Sequence, residues 1–356
     1  MRVCFFGAYD SGYPRNRILR EGLRRAGIEV HEARVAQHRV IRRYPALLGA
    51  FWREGRDADV LLVPEFRHKD MPLARALAGR RRVVFDPLVS RHDTLVDDWG
   101  LHGPGSAQAR WNDRIDRMAL ALADIVLCDT WAHGRLYEQL GARRDRLRRV
   151  LVGAEDVFFG VGPPPPAPPV RVVYLGGFLP LHGISIVLEA AARLERDATR
   201  LPDFRIELVG RGIEFDGSVE WAKRAGLERV GFPGPVEYAD AARVYADAHV
   251  VLGAFGAGEK AGRVIPHKLY QGLASGRAVV TGDGPGVREV FEAGVHLETV
   301  PRGDAEALAE ALRRLIRNPD VREGLAARGR ARVLEVGTAD RIGESLREAL
   351  LGGEAA

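Results

Sequence analysis

Lysine is nearly missing from this chain. It supplies four of the 53 basic residues, at positions 69, 223, 260 and 268. Cysteine is scarcer still. Cys4 and Cys128 both lie inside apolar, strand-like runs, which argues for buried free thiols and against a disulfide framework or a cysteine-ligated metal. No apolar run approaches the roughly 20 residues that span a bilayer. The opening MRVCFFGAYDSGY has only a short apolar run, followed at once by glycine, aspartate and serine, so it is read as a first buried strand and not as a leader. These absences together favour the cytoplasm. GAYDSG also lacks the spaced three-glycine fingerprint of dinucleotide-binding loops, which excludes a nicotinamide-dependent dehydrogenase.

What is present is a chain of 356 residues, 46% hydrophobic and 28% charged, long enough for two domains of common size. Its charge is uneven. Residues 1–160 carry 28 basic against 21 acidic residues, and the remainder 25 against 27. The basic half suits either an acidic partner or anionic membrane, or simply an arginine-rich solvated surface. Short apolar runs alternate with helical spacing throughout, which predicts parallel sheets with helices on both faces. The stretch GVGPPPPAPP, with six prolines in ten residues, breaks the pattern as a stiff linker at 161–169. The expected architecture is α/β, with two Rossmann-like doubly wound domains at 1–160 and 170–335 facing across a cleft. A closing helix at 336–356 is expected to finish the second domain or cross back to the first.

Glycines, acids and hydroxyls gather at the strand exits of both halves: Gly7 to Gly12, Asp86-Pro87, Asp129-Thr130, Gly176-Gly177, Gly210 to Gly212 and Gly282 to Gly284. Ligands of open α/β sheets lie there. Two of the four lysines fall in or beside AGRVIPHKLYQGLASGRAVV (261–280), where a loop enters a helix. A point cation at a helix start suits an anion.

Several segments carry a resemblance. They are YLGGFLPLHGISIVLEAA (174–191), IELVGRG (206–212), VGFPGPVEYADAARVYADAHVVL (230–252), RVIPHKLYQGLASGRAVVTGDGPGVREVF (263–291) and the helical tail 304–335. Their order and spacing resemble the GT-B fold, and the second half resembles the family-4 retaining glycosyltransferases that use nucleotide sugars. The resemblance implies sugar transfer from a UDP- or GDP-sugar to a glycan, lipid-linked or small-molecule hydroxyl. It implies no cofactor beyond that co-substrate and no metal; no nucleic acid partner is expected, and the basic first half leaves peripheral contact with an anionic membrane as a possible partner surface. The donor would meet Gly7, Gly177, His182, Gly210, Arg211, Arg263, Val264, Ile265, Lys268 and Gln271. The acceptor would meet Tyr9, Ser11, Tyr13, Arg15, Asn16, Ser90 and Asp93. Asp86, His92 and Glu259 would serve catalysis.

Three departures from that family stand out. Gln271 occupies the place of a ribose-holding glutamate, and Arg263 the place of a second glutamate, with Glu259 close by. Gly177 and His182 replace an Arg/Lys pair that holds the diphosphate, which leaves Lys268 and Arg263 for that task. Asp86 stands where relatives place an acceptor-side histidine, with His92 six residues on. Plain structural readings compete with each assignment. Gly7 to Arg15 reads equally as a tight connection, residues 83–100 as a solvated acidic loop, His182 as a helix-entry residue, Glu259 as a mobile charge and Asp129-Thr130 as a helix cap. Arg34 to Arg56 has six arginines against one glutamate, with Tyr44, Phe51 and Trp52. It either lies on anionic lipid or buries its aromatics against the sheet, and the second reading is preferred. The rival functions are a non-catalytic partner of a glycan assembly complex and a GT-B sugar-nucleotide epimerase.

Overall fold

The computed structural model describes residues 1–36 and 39–352. Parts of two expected segments, at 37–38 and 353–356, lie outside the described residues. The chain forms two compact units: residues 1–153 with 339–356, and residues 154–338.

The first unit holds a six-stranded parallel sheet built from β1 (Arg2–Gly7), β2 (Glu29–Arg34), β3 (Val60–Val63), β4 (Arg82–Phe85), β5 (Ile125–Cys128) and β6 (Leu147–Arg149), in the order β2-β1-β3-β4-β5-β6. VLLV and IVLC are buried at every position. A parallel sheet covered on both faces requires such continuous apolar runs. The order reverses between β1 and β3, so the topological switch point lies at the exits of those two strands.

The second unit repeats the plan with β7 (Val170–Leu175), β8 (Phe204–Val209), β9 (Val230–Gly234), β10 (Val250–Leu252), β11 (Ala278–Gly282) and β12 (Glu298–Val300). Its order is β12-β11-β10-β7-β8-β9, and its switch point lies between β7 and β10. The α/β architecture of two Rossmann-like, doubly wound units is therefore as expected.

One boundary differs in detail from the linker-based reading, and the closing helix takes the second of its two expected places. Residues 154–160 belong to the second unit, because Phe158 packs edge-on against Tyr238 and Tyr245, with ring centroids 6.3 and 5.7 Å away. The closing helix Ala339–Leu351 belongs to the first unit, against the helix Pro14–Arg25. The two helices touch through Gly22 and Gly343. A Cβ on Gly343 would sit 2.1 Å from the Gly22 carbonyl oxygen, so no larger residue fits that crossing.

The arginine-rich segment divides its side chains. Phe51 is buried and Tyr44 half-buried, but Trp52 is 58% exposed and Ile41 89% exposed. Burial against the sheet thus holds for part of the segment only. Among the described residues no helix is long and apolar enough to cross a membrane.

Candidate functional site

At the carboxyl edge of the first sheet, Arg15 and Asp86 form a buried bidentate pair, Nε to Oδ2 at 2.9 Å and Nη2 to Oδ1 at 3.1 Å. Arg15 Nη1 also donates to the carbonyls of Val150 and Leu151, at 2.9 and 2.6 Å. Four of its five N–H groups are therefore spent inside the protein. This corrects two expectations. Arg15 is not free to hold an acceptor, and Asp86 is not a free catalytic carboxylate, because each neutralises the other inside the fold.

The loop that follows is held by a residue that the sequence reading passed over. Asp116 accepts from Ser90 Oγ (2.7 Å), Arg91 N (2.9 Å) and His92 N (2.9 Å), and His68 Nε2 lies 3.2 Å away. Ser90 Oγ in turn accepts from Asp93 N. Ser90 and Asp93 therefore build the loop. His92 is partly exposed, with Nδ1 3.3 Å from Asp97. His68 is enclosed, and its imidazole is pushed down to about 3, first by burial and then by Arg91.

Around the first switch point, Tyr9 donates to Glu32 (2.7 Å), Asn16 Nδ2 to the Asp10 carbonyl (2.7 Å), and the Ser11 carbonyl accepts from Arg20. Gly7 leads into Ala8, whose N–H is held by the buried Asp70 at 3.0 Å. Tyr13 stacks edge-on against Phe66 at 5.9 Å. Phe66 and Leu88, after β3 and β4, both adopt positive φ, 60° and 57°. Such backbone strain in non-glycine residues clusters at functional loops. Beside them in the chain stand Asp86 and the buried Glu65, whose carboxyl is pushed up to about 8 by burial and then by the Asp86 charge. Glu65 was visible as the polar end of VLLVPE, but nothing local announced its burial.

The second unit gathers its groups at the switch point between β7 and β10. Gly176 and Gly210 end β7 and β8 at touching distance: a Cβ on Gly210 would lie 1.9 Å from the Gly176 carbonyl oxygen. Into this place comes Lys268, from the helix His267–Ala274. Its Nζ would be 2.8 Å from a Cβ on Gly176, and it sits 3.8 Å from the centroid of the Tyr174 ring. Lys268 is 5% exposed, and its Nζ has no hydrogen-bond acceptor among the described residues. Burial alone pushes its pKa well below the ordinary 10.5. A ring face compensates an ammonium only partly, and an enclosed cation without an oxygen partner is costly.

His182 is placed beside this cation, but it is committed to its own loop. Its Nδ1 meets the Tyr174 hydroxyl at 2.8 Å and the Gly177 carbonyl at 2.5 Å. Burial first, and Lys268 second, hold it neutral, well below 6.5. Gly177 therefore takes part through its carbonyl. Arg211 is exposed, over the Phe215 ring at 5.0 Å. Val264 and Ile265 are buried, and Arg263 is half-buried at the end of the helix Glu259–Arg263. Glu259 opens that helix and is exposed.

Gln271 lies one turn beyond Lys268, in a network absent from the sequence reading. Its Nε2 donates to the Tyr238 hydroxyl (3.3 Å), its Oε1 accepts from Tyr245 (3.4 Å), and Tyr238 donates to Glu155 (2.5 Å). These partners lie 26 and 33 residues away in sequence, beyond any local pattern.

Residues 189–347 match the model of a family described as glycosyl transferase-like. The phosphatidyl-myo-inositol mannosyltransferase of Mycolicibacterium smegmatis is 33% identical over 163 residues, 46% of this chain and 40% of that protein. The matched stretch is thus less than half the length of that relative. Among solved structures, Anabaena HepE in complex with UDP and glucose superposes with a TM-score of 0.72 over 99% of both chains, at 17% identity. Sucrose-phosphate synthase from Thermosynechococcus elongatus gives 0.74 over 98% of both, at 16% identity. Likeness at that identity is one of fold, and the fold is that of the GT-B glycosyltransferases.

Proposed function

We propose that this protein is a glycosyltransferase that moves a sugar from a nucleoside diphosphate donor to a hydroxyl acceptor, with retention of configuration as the family-4 resemblance implies. One observation carries the reading: the enclosed Lys268 ammonium, without an oxygen partner, at the strand-exit switch point of the second unit. A diphosphate supplies the missing acceptor. Its charge grows as the glycosidic bond breaks, and a preorganised cation stabilises that growth. In this reading Lys268 does from the helix His267–Ala274 what an Arg/Lys pair does in relatives from the loop after the first strand. Arg263 adds a planar fork nearby. His182 and Tyr174 hold the loop that faces the phosphates. Gln271, tied to two tyrosines, meets the ribose through at most its remaining donor. The acceptor belongs to the first unit, at the strained loops after β3 and β4.

The reading also takes the exposed face of the helix Val40–Ala50 and the turn after it as a peripheral contact with anionic lipid. Ile41, Leu48 and Trp52 stand at helical spacing, 89%, 41% and 58% exposed, with Arg39, Arg42, Arg53 and Arg56 exposed around them. A basic rim around an apolar stripe suits an interfacial helix.

Thermal-shift titration with UDP-, GDP-, ADP- and dTDP-sugars in EDTA tests the core of this reading. Stabilisation by one nucleotide in the wild type, lost in Lys268→Met, is the expected outcome. Equal stabilisation of both proteins removes the phosphate role. No stabilisation by any donor turns the reading toward a non-catalytic partner of a glycan assembly complex.

A further inference from the structure

A cavity in the unit 154–338, of about 570 Å³, lies between the proline-rich strap 161–167, the turn Ser275 to Arg277, and the helix Pro319–Val336. Ligand sites commonly measure roughly 300–1,000 Å³. Its walls are unusual in charge. Arg277, Arg322 and Arg330 line it, and none of the three is ion-paired to a carboxylate among the described residues. Elsewhere in the protein arginines pair freely with acids, as Arg15 and Arg43 do.

Arg277 is 1% exposed and Arg322 8% exposed. Arg277 is occupied with the backbone, donating to the carbonyls of Tyr245 (2.7 Å), Gly162 (2.7 Å) and Ala246 (3.1 Å). Arg330 donates to Ala274 and Phe159. Arg277 fixes the strap through Gly162 and Arg330 holds the residue Phe159 before it, and neither meets a carboxylate at ion-pair distance among the described residues. Burial, and then Arg330, push Arg277 down to about 10. Arg322 spends one donor, to the Leu315 carbonyl at 2.6 Å, and keeps the rest. Ser275 Oγ is enclosed, in a residue 1% exposed, and has no hydrogen-bond partner among the described residues. His249 adds no acceptor to the cavity. Its Nδ1 takes the Arg171 N–H (3.0 Å) and its Nε2 holds the Pro165 carbonyl (2.9 Å), which fixes the neutral form. Glu323 is the one acid on the wall. The strap contributes the opposite chemistry: four prolines and alanine, all apolar.

We propose that this cavity binds a small organic anion, a phosphate monoester or carboxylate carrying an apolar body, with Arg322 and Ser275 on the charged end and the proline strap along the body. An anion there relieves the repulsion between Arg277 and Arg330, meets the remaining donors of Arg322 and satisfies the orphaned hydroxyl. The cavity is also wired to the candidate donor site. Arg277 holds the Tyr245 carbonyl, and the Tyr245 hydroxyl holds Gln271 on the helix that carries Lys268. Occupancy would therefore be felt at the ribose side of that site.

The test is calorimetric titration of the full chain, in a Lys268→Met background that removes the cation of the other site. The probes are octyl phosphate, inorganic phosphate and 1-octanol. Octyl phosphate is expected to bind, and Arg322→Met to weaken it by about tenfold or more, the loss of one charge-assisted contact. Inorganic phosphate and octanol alone are each expected to bind about tenfold more weakly than the joined molecule. Ala327→Trp fills the cavity from an exposed helix position and leaves Arg322 bonded to Leu315, so it stays folded if Arg322→Met does not. It is expected to abolish binding. No heat with octyl phosphate, or equal affinity in Ala327→Trp, overturns the proposal. Inorganic phosphate as strong as octyl phosphate overturns the apolar half of it.

Discussion

Arg15 in the first unit and Lys268 in the second are both enclosed cations at the carboxyl ends of parallel strands, and the protein treats them oppositely. Arg15 meets a carboxylate in bidentate geometry and two backbone carbonyls. Lys268 meets the face of one tyrosine and, among the described residues, no hydrogen-bonding oxygen. Both charges cost desolvation energy. In the first unit that cost is offset within the fold, so the pair specifies structure. In the second it is left outstanding, so a ligand can offset it. Burial by itself therefore does not separate a structural charge from a functional one. The count of satisfied donors does.

The largest effect should come from breaking the satisfied pair. Asp86→Ala leaves the Arg15 charge buried and is expected to cost about 3–5 kcal/mol in urea unfolding. The double change Arg15→Met with Asp86→Leu should recover much of that loss. A loss no larger than that of a surface substitution would remove the contrast with Lys268.

Next comes Glu65. Its folded carboxyl, at about 8, lies above the ordinary 4.5. The folded form keeps a proton that the unfolded chain releases, so its contribution is intact below pH 4.5 and is lost as pH rises through about 8. Urea unfolding free energies of Glu65→Gln and wild type should be close at pH 5 and diverge in favour of the variant at pH 9, by about 4 kcal/mol at most. Parallel profiles would mean that Glu65 is ionised in the fold.

Lys268→Met should move stability and binding in opposite directions. The unliganded variant gains about 1 kcal/mol, while nucleoside diphosphate affinity falls about 10-fold or more. The pH dependence gives the sign. The folded pKa of Lys268 lies below its ordinary 10.5, so in that window the unfolded chain binds the extra proton and wild-type stability rises with pH. The advantage of the variant should therefore shrink between pH 7 and 10. A constant difference would mean that the ammonium is not the source.

The smallest effect on stability concerns the exposed helix. Ile41→Ser with Trp52→Ser should change the unfolding free energy by no more than about 0.5 kcal/mol. The same variant should lose sedimentation with phosphatidylglycerol vesicles, while phosphatidylcholine vesicles bind neither protein. Undiminished sedimentation would assign the stripe no lipid role.

The residue pattern by itself determined the two α/β units, the proline break between their sheets, and the clustering of glycine and polar residues at strand exits. Each of these is written in short-range periodicity: apolar runs make inner strands, helical spacing makes the cover, and proline ends both. It also singled out Lys268, because a lysine in an arginine chain at a helix entry is a local oddity. Only the tertiary structure decided what each charge meets. Arg15 finds Asp86 across 71 residues, Tyr238 finds Gln271 across 33, and the closing helix docks on Pro14–Arg25 through two glycines far apart in the chain. Ion pairing and enclosure depend on distances that sequence spacing does not set, so the difference between a neutralised cation and a waiting one emerges only when the strands are brought side by side.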